Sequence, residues 1–310
     1  MCGGLQNMKL GERIVTYLEF CQYRKNLDHK TIKAYRIDLR QYCEYISSSD
    51  PSRDKIQEYI TELHKKYKQK TIKRKIASVK AFYNYLEDEE IIKENPFRRI
   101  KAKFKEQIIL PRIILREEIE RLLNFMYSCL TDKTIKDYCL RDVAVVELFF
   151  ATGARVYEIS NIHMENIDLN SGLIRIMGKG GKERYIQIGN PSVLKILQRY
   201  YTAFKEQIQR SGYFFVNSRG GRYTEQSIRL MLKKYTRLAM IERKITPHMF
   251  RHSFATFLIE EDVDISCIQQ ILGHSSIKTT QIYIHVAAKK QAEILKLRHP
   301  RNSMQIRGVA

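Results

Sequence analysis

The chain has 310 residues, and 44% of them are hydrophobic, which is enough for one large core or two smaller ones. Lys and Arg number 55 against 34 Asp and Glu, so the formal net charge is +21. An excess of this size indicates a polyanionic partner, with nucleic acid the first candidate and a membrane surface a weaker one. No stretch approaches the roughly 20 apolar residues that a spanning helix needs.

The six cysteines are scattered, and none forms a Cys-x-x-Cys pair. This excludes the common zinc and disulfide patterns, so we expect reduced thiols in a cytoplasmic protein. The first residues lack the apolar core of a signal peptide. We interpret residues 1–8 as a leader, and either Met1 or Met8 could be the start.

Residues 9–97 predict a helical domain, because apolar residues recur at spacings of three and four. The first helix contains ERIVTYLEFCQYR, and Asp28 can cap the second. The third helix is predicted to open at Pro51, and the fourth to run from Thr71 to Leu86. A four-helix unit of about 90 residues is small but able to fold.

Residues 65–80, KKYKQKTIKRKIASVK, contain eight basic residues and no acidic one. A charged run is usually a solvated helix face, but the absence of acids at helix spacing within this run favours phosphate contact. Residues 98–111, RRIKAKFKEQIILP, are basic and aperiodic, and we interpret them as a linker that crosses a DNA backbone. The candidate DNA-binding residues are Lys65, Lys66, Lys68, Lys70, Lys73, Arg74, Lys75, Lys80, Arg98, Arg99, Lys101 and Lys103.

Residues 112–298 predict a second domain that is mainly α with a small antiparallel sheet, followed by a tail at 299–310. An amphipathic helix starts at REEIERLLNFM. The stretch RDVAVVELFFATGARVYEISNI predicts a buried helix, a break at Thr152–Gly153 and a short second helix. In GLIRIMGKGGKERYIQI, two strand-like runs flank a glycine-rich turn, which predicts a β-hairpin. Further helices are predicted at about 191–209, 224–240, 247–260, 264–272, 276–285 and 287–297.

Two polar residues lie at breaks in this pattern. Gly153 can end the buried helix in the left-handed conformation, which places Arg155 at the start of the next helix. The alternative for Arg155 is a local ion pair with Glu158. Lys179 lies in the glycine-rich turn, where a solvent-exposed tip is the ordinary alternative, and the turn lacks the P-loop pattern.

The stretch TPHMFRHSFATFLI predicts a helix with Thr246 as N-cap and Pro247 as its first residue. His248 and Arg251 would then share a face near the helix N-terminus, which favours anions. A helix N-terminus also favours a neutral imidazole that can take or give a proton. The rest of the helix is predicted to be buried through Phe254, Phe257 and Leu258.

The stretch LGHSSIKTTQIYIHV predicts the end of one helix at Gly273 and the start of another at Ser275 or Ser276. His274 lies in the polar corner between them, and Tyr283 lies near the end of the second helix. A capping histidine and a packed tyrosine are the ordinary alternatives for these two residues.

Taken together, ATGARVYEI, GKGGKER, PHMFRHSFAT and LGHSSIKTTQIYIHV resemble, in the same order, the signature segments of the tyrosine recombinases, also called the phage integrase family. The helical block resembles the SAM-like core-DNA-binding domain of that family. The resemblance implies that the two domains form a C-shaped clamp on double-stranded DNA.

The resemblance also implies chemistry for particular residues. Paired arginines would hold the scissile phosphate, a hairpin lysine would protonate the leaving 5′ oxygen, and two histidines would handle a proton and hydrogen-bond the phosphate. A tyrosine would be the nucleophile, and a glutamate would orient groups of the site. No cofactor or metal is implied, and no carboxylate pair suits two-metal phosphoryl transfer. Arg155 and Arg251 would be the paired arginines and Lys179 the hairpin lysine. His248 would handle the proton and His274 would hydrogen-bond the phosphate. Tyr283 would be the nucleophile and Glu158 the orienting glutamate.

Members of this family recombine DNA as four protomers on two duplexes, through a Holliday junction. The resemblance therefore implies a homo-tetramer, or a hetero-tetramer with a paralogue. Helix 287–297 is predicted to dock in a neighbouring subunit, with packing on its own domain as the alternative.

Two other functions compete with recombination. One is related chemistry, that of a type IB topoisomerase or telomere resolvase. The other is a DNA-binding accessory protein that keeps the fold without catalysis. Within recombination, chromosome or plasmid dimer resolution of the Xer type and integration of a mobile element both stay open.

Overall fold

The computed structural model describes residues 10–46, 52–98, 100, 112–131, 138–178 and 181–273. The chain divides into two compact units, residues 1–107 and 108–310, and the division falls within the segment interpreted as a linker. Within the described part of the chain, no helix is both long enough and apolar enough to cross a membrane.

The first unit contains four helices, as predicted. Their shared core is rich in aromatic side chains, and the Tyr42 and Tyr83 hydroxyls in it lie 3.0 Å apart. The prediction that Pro51 opens the third helix was wrong. Ser52 caps that helix instead, because its Oγ accepts a hydrogen bond from the backbone N–H of Lys55 at 3.3 Å. The helices are α1 (Leu10–Tyr23), α2 (His29–Ile46), α3 (Arg53–Lys66) and α4 (Gln69–Asp88).

A buried carboxylate on α2 joins it to α4. Asp38 is 0% exposed, and it accepts hydrogen bonds from Lys75 Nζ at 3.2 Å and from Ser78 Oγ at 2.9 Å. The Arg74 guanidinium also bonds to Asp38, and the Lys75 ammonium also donates to Gln41. The acidic partner of the basic run on α4 therefore comes from a different helix.

We expect Asp38→Asn to lower the free energy of unfolding of this unit by about 3–5 kcal/mol, because it leaves the buried Lys75 ammonium without a counter-charge. Hydrogen exchange of the α2 and α4 amides in the full chain measures the change. Glu44→Gln on the same helix is the control, since it removes only an exposed ion pair with Arg40. Equal protection of the two variants would contradict the expectation.

The second unit is mainly α with a small antiparallel sheet, as predicted. A 3₁₀ turn at Met164–Asn166 precedes the sheet. The predicted helices at 276–285 and 287–297 lie outside the described residues, as do the leader and the tail. The helices are α5 (Arg116–Thr131), α6 (Tyr138–Thr152), α7 (Val156–Ser160), α8 (Pro191–Ser211), α9 (Glu225–Leu238), α10 (Pro247–Glu260) and α11 (Ile265–Leu272).

The sheet has the order β1-β2-β3, with β1 at Ile167–Asp168, β2 at Leu173–Met177 and β3 at Glu183–Gln187. The predicted hairpin is formed by β2 and β3, which pair Ile176 opposite Arg184. The strand β1 was not predicted, because two residues are too few to show a period of two. Helix α6 contacts α5, α8 and α10, which explains why it is apolar on nearly every face.

Candidate active site

The break between α6 and α7 positions the first candidate arginine. Gly153 adopts φ +58°, and its N–H donates to the Phe149 carbonyl at 2.9 Å, so the predicted left-handed helix end is confirmed. Arg155 is then the N-cap of α7. Its Nη1 donates to Glu158 Oε1 at 2.8 Å and its backbone N–H to Glu158 Oε2 at 2.8 Å. The local ion pair therefore forms, while 38% of the Arg155 side chain stays exposed.

Gly153 is also a point of close packing. A Cβ at this residue would lie 2.6 Å from Phe254 Cδ1 and 2.8 Å from Leu272 Cδ2, in contact with both α10 and α11. The glycine therefore allows three helices to converge beside Arg155.

We expect Gly153→Ala to destabilise the second unit by about 2–5 kcal/mol, because a left-handed alanine costs about 1–2 kcal/mol and an overpacked Cβ about 1–3 kcal/mol. Thermal melting followed by circular dichroism measures the loss. Gly181→Ala is the matched control, because Gly181 has φ +75° but open space around its Cβ position. If both variants melt alike, close packing at Gly153 has no energetic role.

Helix α10 carries the second candidate arginine. Thr246 and Pro247 begin the helix as predicted, although the Thr246 side chain makes no capping hydrogen bond. His248 is exposed, whereas Arg251 is only 4% exposed. Arg251 Nη1 donates to the Gly153 carbonyl at 2.9 Å and Nη2 to the Leu272 carbonyl at 2.7 Å. One guanidinium thus ties α10 to the break before Arg155 and to the end of α11.

The packed surface of α10 includes the predicted face and extends beyond it, and the three predicted residues pack against the core clusters. Phe254, Phe257 and Leu258 are only partly buried. The helix packs on α6, where the Phe250 and Phe149 rings stack at 5.8 Å, and on α11. Other residues of the helix are fully buried, among them Phe250, Ser253, Ala255, Thr256 and Ile259.

Sequence reasoning missed Arg184 on β3. Its Nη1 and Nη2 donate to Glu158 Oε1 and Oε2 at 3.1 and 2.7 Å, and its Nε donates to the Ile271 carbonyl at 2.8 Å. The available signal was its position in the hairpin, since it shares the inward face of β3 with Ile186. The Arg184 guanidinium therefore joins the hairpin to α7 through Glu158 and to α11 through the Ile271 carbonyl.

Electrostatics at Glu158 follow from these contacts. Burial by itself raises the pKa of the carboxyl, but the hydrogen bonds and charges of Arg184 and Arg155 outweigh it and hold the pKa below its usual range. The carboxylate therefore stays ionised and keeps accepting from both arginines.

The sequence analysis also did not identify His252 as a candidate residue, although it directly follows Arg251. Burial lowers the pKa of its imidazole, and the charges of His248 and Arg251 lower it further. A neutral imidazole beside the buried arginine is the expected form near neutral pH.

Lys179, His274 and Tyr283 lie outside the described residues, so their roles stay predictions. Strand β2 ends at Met177 and strand β3 begins at Glu183, so Lys179 lies between them in the sequence. Helix α11 ends at Leu272, and Gly273 is its left-handed C-cap with φ +64°, as predicted.

Some candidate DNA-binding residues of the helical unit form ion pairs with carboxylates of the protein itself. The Lys65 and Lys66 ammonium groups lie 2.7 and 3.5 Å from Glu62 carboxylate oxygens on α3, although both side chains are 65% exposed. Lys75 is buried against Asp38, so it is not a surface cation that could contact DNA.

The other candidates lie at the surface or outside the described residues. Arg74 is exposed even though it bonds to Asp38, and Lys73 is partly buried. Arg98 is exposed and lies 3.8 Å from Glu87. Exposed lysines on and beside α4 are Lys68, Lys70 and Lys80. The candidates outside the described residues are Arg99, Lys101 and Lys103.

Comparison with known families gives two matches that cover most of the chain. Residues 112–290 match the phage integrase family, and residues 14–90 match the N-terminal SAM-like domain of phage integrases. The two matched ranges fall in the two structural units.

Individual proteins agree with these matches. A protein of Agathobacter rectalis named tyrosine recombinase is 49% identical, covering 94% of this chain and 97% of that protein. Tyrosine recombinase XerC of Anoxybacillus flavithermus is 33% identical, over 92% of this chain and 96% of its own. The structure of the XerH site-specific recombinase bound to difH, at 20% identity, covers 90% of this chain and 83% of its own with a TM-score of 0.74, which shows the same fold. The chain belongs to the phage integrase family, and its close relatives are tyrosine recombinases.

Proposed function

We propose that this protein is a site-specific recombinase that cuts and rejoins duplex DNA through a 3′-phosphotyrosine at Tyr283. The observation that carries the proposal is the arginine network around the α6–α7 break. In this network, Arg251 donates a hydrogen bond to the carbonyl of Gly153. Arg155, two residues after Gly153, forms an ion pair with Glu158. The names of the close relatives support the same reaction.

In the proposed cleavage step, the Tyr283 oxygen forms a bond to phosphorus and the bond from phosphorus to the 5′ oxygen breaks. The tyrosine proton passes to a base, the role proposed for His248, and Lys179 gives a proton to the leaving 5′ oxygen. His274 is proposed to hydrogen-bond the phosphate. The second half-reaction reverses these transfers when a 5′ hydroxyl attacks the phosphotyrosine.

The two arginines supply the stabilisation that this step needs. Negative charge builds on the non-bridging oxygens as phosphorus becomes pentavalent, and planar guanidiniums can donate to them in pairs. Because the phosphotyrosine bond conserves the energy of the phosphodiester, we propose that neither ATP nor a metal ion is required.

We further propose that the protein acts as a tetramer on two duplexes, either of one chain or with a paralogue. In support, a lambda integrase of the same fold has been solved as a tetramer bound to a Holliday junction, with a TM-score of 0.68. Native mass spectrometry of the DNA complex, with and without residues 287–310, tests both the tetramer and the proposed docking of helix 287–297. Relatives named XerC and XerD are both 33% identical, and a Tn1549 transposon integrase of the same fold has been solved with transposon DNA, so dimer resolution and mobile-element integration are both candidate roles.

Covalent capture tests the function and identifies the DNA site in the same experiment. The full chain is incubated with sheared DNA of its source genome, in EDTA and without ATP, and denatured complexes are recovered. We expect mass spectrometry to find the nucleotide adduct on Tyr283, and sequencing of the captured DNA to return one recurrent site.

Other outcomes point to the competing functions. Firm DNA binding with no adduct would make the protein a non-catalytic accessory factor. Adducts spread over unrelated sequences, with relaxation of supercoiled plasmid, would indicate a type IB topoisomerase. Adducts that require Mg²⁺ or ATP would overturn the metal- and ATP-independent mechanism.

A further inference from the structure

We propose that Arg184 is a positioning residue for strand cleavage, because it couples the carbonyl end of α11 to Arg155 through Glu158. This role rests on the proposed recombinase function and adds a residue to it. Arg184 does not need to touch the DNA, since its three described hydrogen bonds all go to the protein.

The first part of the coupling is the shared carboxylate of Glu158. Oε1 accepts from Arg155 Nη1 and from Arg184 Nη1, and Oε2 accepts from the Arg155 backbone N–H and from Arg184 Nη2. Each oxygen is thus held from both sides. Loss of Arg184 removes two of these four bonds, so that Glu158 and the Arg155 guanidinium are held only by each other and lose their attachment to the hairpin.

The second part lies at the end of α11. The last carbonyls of a helix have no partner within the helix. Here Arg184 Nε donates a hydrogen bond to the Ile271 carbonyl, and Arg251 Nη2 donates one to the Leu272 carbonyl. The Arg184 side chain also packs against Gly273, where a Cβ would lie 3.1 Å from Arg184 Cδ. Arg184 therefore fixes the point from which the chain continues toward His274.

Geometry makes arginine the suitable residue at this place. Its planar guanidinium donates to both Glu158 oxygens through Nη1 and Nη2 while Nε points to a separate acceptor. The side chain is 11% exposed and that of Glu158 is 2% exposed, so water competes little for these bonds. A lysine would keep the charge but could not reproduce the three directed bonds.

The test uses single-turnover cleavage of a suicide duplex that carries the site captured by the wild-type protein. We expect Arg184→Gln to slow adduct formation about 10- to 100-fold, by analogy with outer-shell partners of metal ligands, with unchanged DNA affinity. Arg184→Lys should fall between Arg184→Gln and wild type. Arg175→Gln is the matched control, because Arg175 faces the other side of the hairpin and bonds to Asn166.

The pH profile separates positioning from a general loss of stability. The charged groups in described contact with Glu158 are Arg155 on α7 and Arg184 on β3, while Arg251 on α10 bonds to backbone carbonyls instead. Without Arg184, burial raises the pKa of Glu158, so the carboxyl protonates at a higher pH. Protonation of Glu158 should add a loss of cleavage rate at lower pH than the limb set by the proposed base, His248. This Glu158 step should move upward in Arg184→Gln, stay near wild type in Arg184→Lys and vanish in Glu158→Gln, which keeps the His248 limb.

Each outcome decides the proposal. A slower Arg184→Gln enzyme with a shifted Glu158 step and unchanged DNA affinity supports it. If Arg184→Gln is unfolded at the assay temperature, a slowed but folded Arg184→Lys enzyme supports it equally. Wild-type rates in both variants overturn the positioning role and leave the proposed function standing. Absence of any wild-type adduct overturns both.

Discussion

Tyr283→Phe is expected to abolish the covalent protein–DNA adduct while leaving DNA binding intact. Phenylalanine keeps the aromatic ring but lacks the hydroxyl oxygen that would attack phosphorus, so no phosphotyrosine can form. A denaturing gel of end-labelled suicide duplex reports the adduct, and a gel shift with the same duplex reports binding. This is the largest effect that we expect from a single substitution in the chain.

The control for this prediction is Tyr185→Phe on β3, because Tyr185 is an exposed tyrosine of the same domain. Wild-type adduct formation is expected for it. If Tyr283→Phe still formed an adduct, the nucleophile would be another residue, and mass spectrometry of the adduct would identify it.

Arg251→Lys is expected to lower the single-turnover rate of adduct formation about 10²–10³-fold, by analogy with the loss of one oxyanion donor. Lysine keeps the positive charge, so long-range attraction of the DNA should persist. It loses the planar donor set, which here holds the Gly153 and Leu272 carbonyls in addition to the proposed contact with phosphate. Rates at saturating protein, measured on the same suicide duplex, give the effect.

The Arg251 substitution also has a structural cost that must be measured separately. Two buried carbonyls lose their described donors, and each unmet group costs about 1–3 kcal/mol. Thermal melting gives this loss, and the rate is then compared at a temperature where the variant is folded. Arg229→Lys on α9 is the control, because its exposed pair with Glu225 lies at the surface. A folded Arg251→Lys protein with a wild-type rate would remove Arg251 from the proposed site.

Local patterns in the sequence predicted most of the elements correctly. Spacings of three and four residues predicted the four helices of the first unit, and alternation around a glycine-rich turn predicted the hairpin. Gly153 and Gly273 were predicted as left-handed helix ends, and both are. These features depend on residues a few positions apart, so periodicity and backbone preference are sufficient to reveal them.

Signature segments also determined the family and named six candidate catalytic residues. Two of these, Arg155 and Arg251, have described contacts that bring their elements together. The structure describes His248 as exposed at the start of α10. The predicted roles of Lys179, His274 and Tyr283 rest on the sequence alone.

Tertiary structure decided which charged residues are partners and which are surface cations. Lys75 belongs to a basic run that predicts a surface, but its ammonium bonds to Asp38, which is 37 residues away. Arg184 lies beside a hairpin turn in the sequence, but it bonds to Glu158 across 26 residues, and Arg251 reaches Gly153 across 98. Spacing along a chain predicts contacts within one helix or hairpin. Ion pairs between elements depend on how those elements pack, because desolvation and directed hydrogen bonds act only where the packing brings the groups together.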